Sequence, residues 1–261
     1  MSNNPIGIFD SGVGGTSIWK EINRLLPYES TIYLADSANA PYGLKTNKTI
    51  IELSTKNVEY LLARNCKLIV VACNTATTNA IKELRANYNI PFIGIEPAIK
   101  PAALNTKTKK VGVLATKGTL SSGLFQNTSK IYASGIEVIE QEGNGLVELV
   151  EAGSVNSKKT YELLKTFITP MLEKGIDSLV LGCTHYPYLI PVLKKILPPE
   201  VKIIDSGFAV AKQTKSILQQ QNLDNTNSAK VTHYFYSNKN PYLLKTIVDT
   251  NKNAEVSYLD F

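Results

Sequence analysis

Two cysteines of the chain lie in similar sequence contexts. Cys73 in VVACNTATTNA and Cys183 in VLGCTHYPYL each follow a short apolar run and precede polar residues. A sulfur at the junction of a strand and a helix lies near unpaired backbone N–H groups, which favour the reactive thiolate. A buried cysteine is often only a small apolar residue. The matched pair nevertheless predicts two functional thiols, whereas Cys66 has no counterpart and is predicted to be structural.

Three ionisable residues could act on these thiols. Asp10 ends an apolar run in GIFDSGVGG, where its carboxylate could order or help deprotonate a neighbouring thiol. His185 follows Cys183 by two residues, and Glu151 lies in LVELVEAG. A lone histidine is often a satisfied polar residue and a helical glutamate is usually solvated, so both alternatives stay open. The case for His185 is the stronger of the two.

Polar residues near these positions could bind an anion. The loop 11–15 can present backbone N–H groups, although its glycines could equally serve only a tight turn. The segment 40–43 is a predicted turn, and two threonines in ATKGTLSSG could either contact an anion or cap a helix. The residues predicted to contact a ligand are Asp10, Ser11, Tyr42, Gly43, Asn74, Thr75, Thr116, Thr119, Thr184 and His185.

The elements that must position these residues follow from the alternation of β-branched runs with longer helical patterns. This alternation is typical of βαβ units and a parallel sheet. Helices are predicted at 16–26, 47–64 and 75–84, and strands at 6–9, 31–36, 68–72, 91–95, 111–115, 178–182 and 201–205.

The second half of the chain repeats landmarks of the first. Cys73 and Cys183 are separated by the same number of residues as Ile93 and Ile203, which indicates an internal duplication. The predicted fold is α/β, with two similar lobes that each contain a mainly parallel sheet flanked by helices. Ligands of open parallel sheets bind beyond the carboxyl ends of the strands. We therefore expect the site in the cleft between the lobes, with one thiol on either side.

The lobes are predicted to comprise residues 1–97 together with 210–261, and residues 98–209. In this division the carboxyl-terminal tail packs on the amino-terminal lobe. The tail is predicted to contain a helix over 209–221, a polar loop over 222–230, a strand over 231–236 and a final helix near 240–249.

Composition narrows the classes of function. Apolar residues make up 43% of the chain and charged residues 19%, as in ordinary globular proteins. The start of the chain lacks a secretory pattern and no apolar run could cross a bilayer, which predicts a cytoplasmic protein without a membrane partner. The net charge of +6 comes from scattered lysines, so no nucleic-acid partner is required. This positive charge could still attract an anionic substrate.

Cofactor signatures are also missing from the sequence. The three cysteines and two histidines include no CxxC pair, and the chain has neither a GxGxxG fingerprint nor a Walker lysine. We therefore expect no disulfide framework, no metal and no other cofactor.

Five segments together resemble the glutamate racemases of the aspartate/glutamate racemase group. These segments are DSGVGG (10–15), PYG (41–43), ACNTA (72–76), LVEAG (149–153) and GCTHYP (182–187). They occur in the family's order from about residue 5 to about residue 210. ACNTA and GCTHYP at this separation are the most specific, whereas DSGVGG alone would not be.

The resemblance implies cofactor-independent interconversion of L- and D-glutamate, which supplies D-glutamate for bacterial peptidoglycan. It implies that Cys73 and Cys183 are the acid/base residues for the two faces of Cα. Asp10 would then assist Cys73, and Glu151 with His185 would assist Cys183. The small-molecule substrate would be glutamate, bound by the residues named above, and a homodimer is possible.

Two other functions fit parts of this pattern. A racemase for another substrate, such as aspartate or a hydantoin, would use the same scaffold, although the Thr184–His185 pair favours glutamate. A two-lobed binding protein for an acidic ligand would need the cleft but not the two thiols. A thiol redox protein is disfavoured because the cysteines are far apart in sequence.

Overall fold

The computed structural model describes residues 4–225, 231–249 and 253–261. The first half of the chain alternates strands and helices. In order, these are β1 (Ile6–Asp10), α1 (Thr16–Leu25), β2 (Thr31–Ala35), α2 (Asn47–Ala63), β3 (Leu68–Val71), α3 (Asn74–Asn87) and β4 (Phe92–Gly94). The predicted strands and helices of this half are thereby confirmed to within a few residues.

The second half contains more short helices. Its elements are α4 (Ile99–Asn105), β5 (Lys110–Ala115), α5 (Lys117–Leu120), α6 (Gly123–Tyr132), β6 (Glu137–Glu142), α7 (Leu146–Glu151), α8 (Lys158–Glu173), β7 (Ser178–Gly182), α9 (Ile190–Leu193) and β8 (Lys202–Ile204). The sequence EVIEQE of β6 carries three glutamates and is only partly buried, so it contains no apolar run and this strand was not predicted.

The tail adds two more helices and two more strands. These are α10 (Gly207–Gln220), β9 (His233–Ser237), α11 (Tyr242–Val248) and β10 (Ala254–Tyr258). The two predicted helices and the predicted strand are confirmed, whereas β10 was not anticipated. Of the predicted polar loop 222–230, residues 226–230 lie outside the described residues.

The strands form two parallel sheets that share one topology. The first has the order β10-β9-β2-β1-β3-β4 and the second β6-β5-β7-β8. The order β2-β1-β3-β4 therefore matches β6-β5-β7-β8, and β6 is the counterpart of β2. Strands β1 and β3 are completely buried, which explains their uninterrupted apolar runs. The predicted two-lobed α/β fold is confirmed.

The tail contacts the first sheet at several points. Strand β9 pairs with β2, and α10 packs against α1. The indole of Trp19 meets the ring of Phe235 edge-on at a centroid distance of 4.8 Å. Lys67 Nζ lies 2.6 Å from Glu29 Oε2 in a buried ion pair and also donates to the carbonyl of Leu223 at 2.7 Å. The second bond offsets part of the cost of burying these charges.

The pairing register sets the positions of the candidate residues. Strands β1 and β3 are neighbours, so Asp10 and Cys73 lie at adjacent carboxyl ends of the first sheet. Strands β5 and β7 are neighbours in the second sheet, so Thr116 and Cys183 lie at adjacent carboxyl ends there. Among the described residues, no helix is long and apolar enough to cross a bilayer.

Candidate active site

Two thiols, one from each sheet, line the same cavity. Cys73 is the N-cap of α3, and its Sγ accepts a hydrogen bond from the backbone N–H of Ala76 at 3.4 Å. Cys183 follows β7, and its Sγ lies 3.8 Å from Nδ1 of His185. Both side chains are buried. The prediction that the two cysteines come together across the two halves of the chain is therefore confirmed geometrically.

The cavity between the thiols is small, and most of the residues that line it are polar. Most residues predicted to contact a ligand line it, together with Pro41 of the PYG segment and Val147, which was not among the predicted residues. The complete lining is Ser11, Pro41, Tyr42, Gly43, Cys73, Asn74, Thr75, Thr116, Val147, Cys183, Thr184 and His185.

Asp10 and Thr119 do not line this cavity, although both were predicted to contact a ligand. Asp10 is completely buried beneath the loop that follows β1. Thr119 lies behind the cavity wall, where its hydroxyl is 3.0 Å from that of Thr116 and 3.3 Å from that of Thr75. Thr116 caps α5 by accepting a hydrogen bond from the backbone N–H of Thr119, as the capping alternative predicts, and it also lines the cavity.

Asp10 connects the two sheets instead. Its Oδ2 accepts a hydrogen bond from the hydroxyl of Thr184 at 2.6 Å, and its Oδ1 accepts from the backbone N–H of Gly12 at 2.7 Å. Ser11 Oγ lies 3.3 Å from Oδ1 and 3.7 Å from Cys73 Sγ, so Ser11 bridges the carboxylate and the thiol. Burial raises the pKa of Asp10 to about 6, although the charge of His185 and the bond from Thr184 oppose this rise.

Glu151 and His185 form a hydrogen-bonded pair beside Cys183. Glu151 Oε1 lies 2.6 Å from Nε2 of His185 and accepts the backbone N–H of Val13 at 2.6 Å. Burial alone would raise the pKa of Glu151, but the hydrogen bond and charge of His185 bring it below its usual value. Burial alone would lower the pKa of His185, but hydrogen bonds with Cys183 and Glu151 raise it well above its usual value. The charge of Cys183 contributes to this rise, so an imidazolium beside the Glu151 carboxylate accompanies the thiolate form of Cys183.

The environment of Cys73 is less favourable to a thiolate. Burial, followed by the negative charge of Asp10, raises the pKa of its thiol far above the usual value, although the N–H of Ala76 opposes this rise. Cys183 has the imidazole of His185 beside it, whereas Cys73 has the hydroxyl of Ser11 and the backbone amide of Ala76. The two thiols are related by topology but differ in their electrostatic surroundings.

The glycines of the loop 11–15 leave space for the side chains of Glu151 and His185. A Cβ at Gly12 would overlap Oε1 of Glu151, and one at Gly14 would overlap the imidazole of His185. The N–H groups of Gly12 and Val13 donate to the protein's own carboxylates, Asp10 and Glu151. The expectation that loop amides bind a ligand anion is therefore wrong for these two. The sequence held no signal that would pair Glu151 with this loop.

Tyr42 and Asn74 line the cavity in different ways. The phenol of Tyr42 donates to Asp36 Oδ2 at 2.5 Å and accepts from Asn57 at 3.2 Å, so its hydroxyl is already engaged. The side-chain amide of Asn74 is buried, and neither its nitrogen nor its oxygen has a hydrogen-bond partner. An unpaired buried amide is costly and calls for an explanation. Asn74 is also one of the residues that line the cavity.

A metal centre is not supported by the described ranges, in which no group of three or more His, Cys, Asp or Glu side chains could hold an ion. Polar side chains, one unpaired amide and two thiols make up the chemistry of the cavity. Such a site can bind a small polar molecule and move protons to and from it.

Comparison with known proteins supplies an independent line of argument. The profile of the Asp/Glu/Hydantoin racemase family matches residues 6–214. A glutamate racemase of Ectopseudomonas mendocina is 48% identical over 238 residues, which cover 91% of this chain and 90% of that protein.

Solved structures agree with the sequence matches. A glutamate racemase isoform of Bacillus anthracis superposes with a TM-score of 0.88 at 31% identity, covering 100% of this chain and 99% of that one. A glutamate racemase of Francisella tularensis in complex with D-glutamate gives a TM-score of 0.85 at 30% identity, with coverage of 100% and 98%.

Proposed function

This chain belongs to the Asp/Glu/hydantoin racemase family, and we propose that it interconverts L- and D-glutamate by proton transfer to and from Cys73 and Cys183. It is an isomerase acting on an amino acid. Glutamate is the substrate because the relatives that match along most of the chain are glutamate racemases. The solved relative from Francisella tularensis holds D-glutamate.

The observation that carries the mechanism is the presence of two thiols, one from each sheet, on a single cavity. Inversion at Cα requires a proton to leave one face and another to reach the opposite face. One cysteine acts as thiolate and removes the Cα proton, while the other acts as thiol and delivers its own. The roles exchange when the other enantiomer binds, so two similar residues in two similar lobes suit the reaction.

The neighbours of each thiol supply the assistance that it needs. His185, oriented by Glu151, favours the thiolate of Cys183. Asp10 acts on Cys73 through the hydroxyl of Ser11. This route is longer than the direct histidine contact, so Asp10 is a positioning residue.

Substrate binding falls to the remaining polar groups of the cavity. The unpaired amide of Asn74 and the hydroxyls of Thr75, Thr116 and Thr184 contact the charged groups of glutamate. A Cα proton beside a carboxylate and an ammonium is very weakly acidic. Hydrogen bonds fixed before the substrate arrives lower the energy of the carbanion that develops when this proton leaves. The backbone of Tyr42 and Gly43 closes the same wall, and Thr119 supports it from behind.

We further propose a lobe boundary between residues 97 and 98. The second boundary, expected between 209 and 210, is better placed before α10, because this helix begins at Gly207 and packs against α1 of the first lobe. The reaction works without a cofactor, in the cytoplasm, and supplies D-glutamate for peptidoglycan.

Circular dichroism of D-glutamate incubated with the purified protein, with no cofactor added, tests the proposed function. The signal should decay to zero as the racemic mixture forms, and it should decay equally from L-glutamate. A signal that stays constant for both enantiomers at high enzyme concentration would refute the activity.

A further inference from the structure

A second cavity lies on the far side of Glu151 from the thiols. This tail cleft is open to solvent and has a volume of about 490 Å³. It is bordered by Val13, Ser37 and Glu151 and by Lys239, Tyr242 and Thr246 of the tail. Glu151 borders the tail cleft and also belongs to the catalytic machinery. Its side chain is 17% exposed, whereas that of His185 is 1% exposed.

Cys183 is connected to this cleft by two contacts in series. Its Sγ lies 3.8 Å from Nδ1 of His185, and Nε2 of the same ring lies 2.6 Å from Glu151 Oε1. His185 borders the catalytic cavity, whereas Glu151 borders the tail cleft. The two residues thus lie between the catalytic cavity and the solvent of the tail cleft.

Cys73 has no equivalent connection within the described ranges. Its contact with Ser11 leads to Asp10, which has no exposed surface. Both oxygens of Asp10 accept hydrogen bonds from inside the protein, from Gly12 and Thr184. A proton that moves along this path remains inside the protein.

On the basis of the proposed racemase function, we propose that His185 and Glu151 relay protons between Cys183 and water in the tail cleft while substrate is bound. Cys73 exchanges its proton with solvent only after the cavity opens. In the relay, the Sγ–H bond of Cys183 breaks and its proton joins Nδ1 of neutral His185, which leaves a thiolate beside an imidazolium. The Nε2 proton then moves to Glu151, and Glu151 releases a proton to water. The reverse steps return a solvent proton to the sulfur.

The relay makes the two directions of the reaction differ in isotope exchange. When Cys183 removes the Cα proton, that proton is replaced by one from solvent before it can return to the same carbon. When Cys73 removes it, the original proton returns. In deuterium oxide, the unreacted pool of one enantiomer should therefore gain Cα deuterium several-fold faster per turnover than the unreacted pool of the other.

A variant that fills the cleft tests the route without touching the site. Thr246 is an exposed residue of α11 that lines the cleft, and the adjacent Lys245 is exposed on the same helix but does not line it. Thr246→Trp should reduce the faster exchange to the level of the slower one, whereas Lys245→Trp should leave the difference unchanged. Thr246→Phe replaces the tryptophan variant if circular dichroism shows that the latter does not fold.

The experiment measures deuterium in unreacted and racemised glutamate early in reactions started from each enantiomer. Equal exchange from both enantiomers in the unmodified protein would overturn the relay, and so would a difference that survives filling of the cleft. Failure of the proposed function has another signature, since neither enantiomer would then be converted into the other.

Discussion

Glu151 Oε1 lies 2.6 Å from Nε2 of His185, and this pair packs against the loop that follows β1. The backbone N–H of Val13 donates to the same oxygen at 2.6 Å. Because Glu151 and His185 follow strands of the second sheet while Val13 follows β1 of the first, this contact spans the two lobes. The charge beside Cys183 therefore depends on how the lobes are packed together.

Replacement of either thiol should nearly abolish racemisation. A serine hydroxyl is a far weaker acid than a thiol, so Cys73→Ser and Cys183→Ser should each lower kcat by roughly 10²–10⁴-fold, the usual range for loss of an acid/base group. Cys66→Ser is the matched control, since this buried thiol packs beside Gly7, away from the cavity. Steady-state rates in both directions provide the measurement. A serine variant at either position that keeps most of its activity would show that its cysteine is structural.

Gly14→Ala should impair activity because its Cβ would overlap the imidazole of His185. Displacement of the ring removes the positive charge beside Cys183, so we expect kcat to fall while Tm changes little. Gly123→Ala is the control, since no atom lies within 4 Å of the place that an added Cβ would occupy there and the φ of this glycine is not positive. The comparison needs kcat and Tm for both variants. Equal activity in the two would mean that His185 needs no fixed position.

Asp10 should make the fold less stable as the pH rises. Burial raises the pKa of this carboxyl from 3.8 to about 6, so the folded protein binds its proton more tightly than the unfolded chain. The stabilisation is complete below pH 3.8 and is lost as the pH rises through 6, by on the order of 3 kcal/mol.

Asp10→Asn removes this titration. Urea unfolding of both proteins between pH 4 and pH 7 should give curves whose difference in free energy of unfolding changes over this interval in favour of the variant at higher pH. A difference that does not vary with pH would contradict a raised pKa for Asp10.

Asn74→Ala should raise KM without destabilising the fold. The amide of Asn74 has no partner in the protein, so its removal leaves no hydrogen bond broken. Asn57→Ala is the matched control, because the equally buried Asn57 donates to the hydroxyl of Tyr42 and its loss should lower stability. Substrate titrations and thermal melts distinguish the two. An unchanged KM together with a lower Tm in Asn74→Ala would assign this residue to the core.

Much of the fold could be predicted because β1, β3, β5 and β7 are buried on both faces and therefore appear as continuous apolar runs. Strand β6 was not predicted because its glutamates interrupt the apolar pattern. Strand β10 was not predicted because it is mostly exposed and likewise lacks a continuous apolar run.

The site was predictable where residue type and strand ends coincide, as they do for Cys73, Cys183 and Asn74. What could not be predicted are distances across the two lobes. The contact of Thr184 with Asp10 joins residues 174 positions apart, and that of Glu151 with Val13 joins residues 138 positions apart. Local patterns carry no information about such pairs, so the loop amides were assigned to a ligand instead of to the protein's own carboxylates.

The central claim is that one thiol removes the Cα proton and the other replaces it. Racemisation of L-glutamate in deuterium oxide tests this most directly, through the Cα deuterium content of the first D-glutamate formed. Because the donor thiol has equilibrated with solvent before substrate binds, early D-glutamate should carry deuterium at Cα almost completely. A single base that serves both faces would often return the original proton, so early D-glutamate that is mainly protonated would contradict the two-cysteine mechanism.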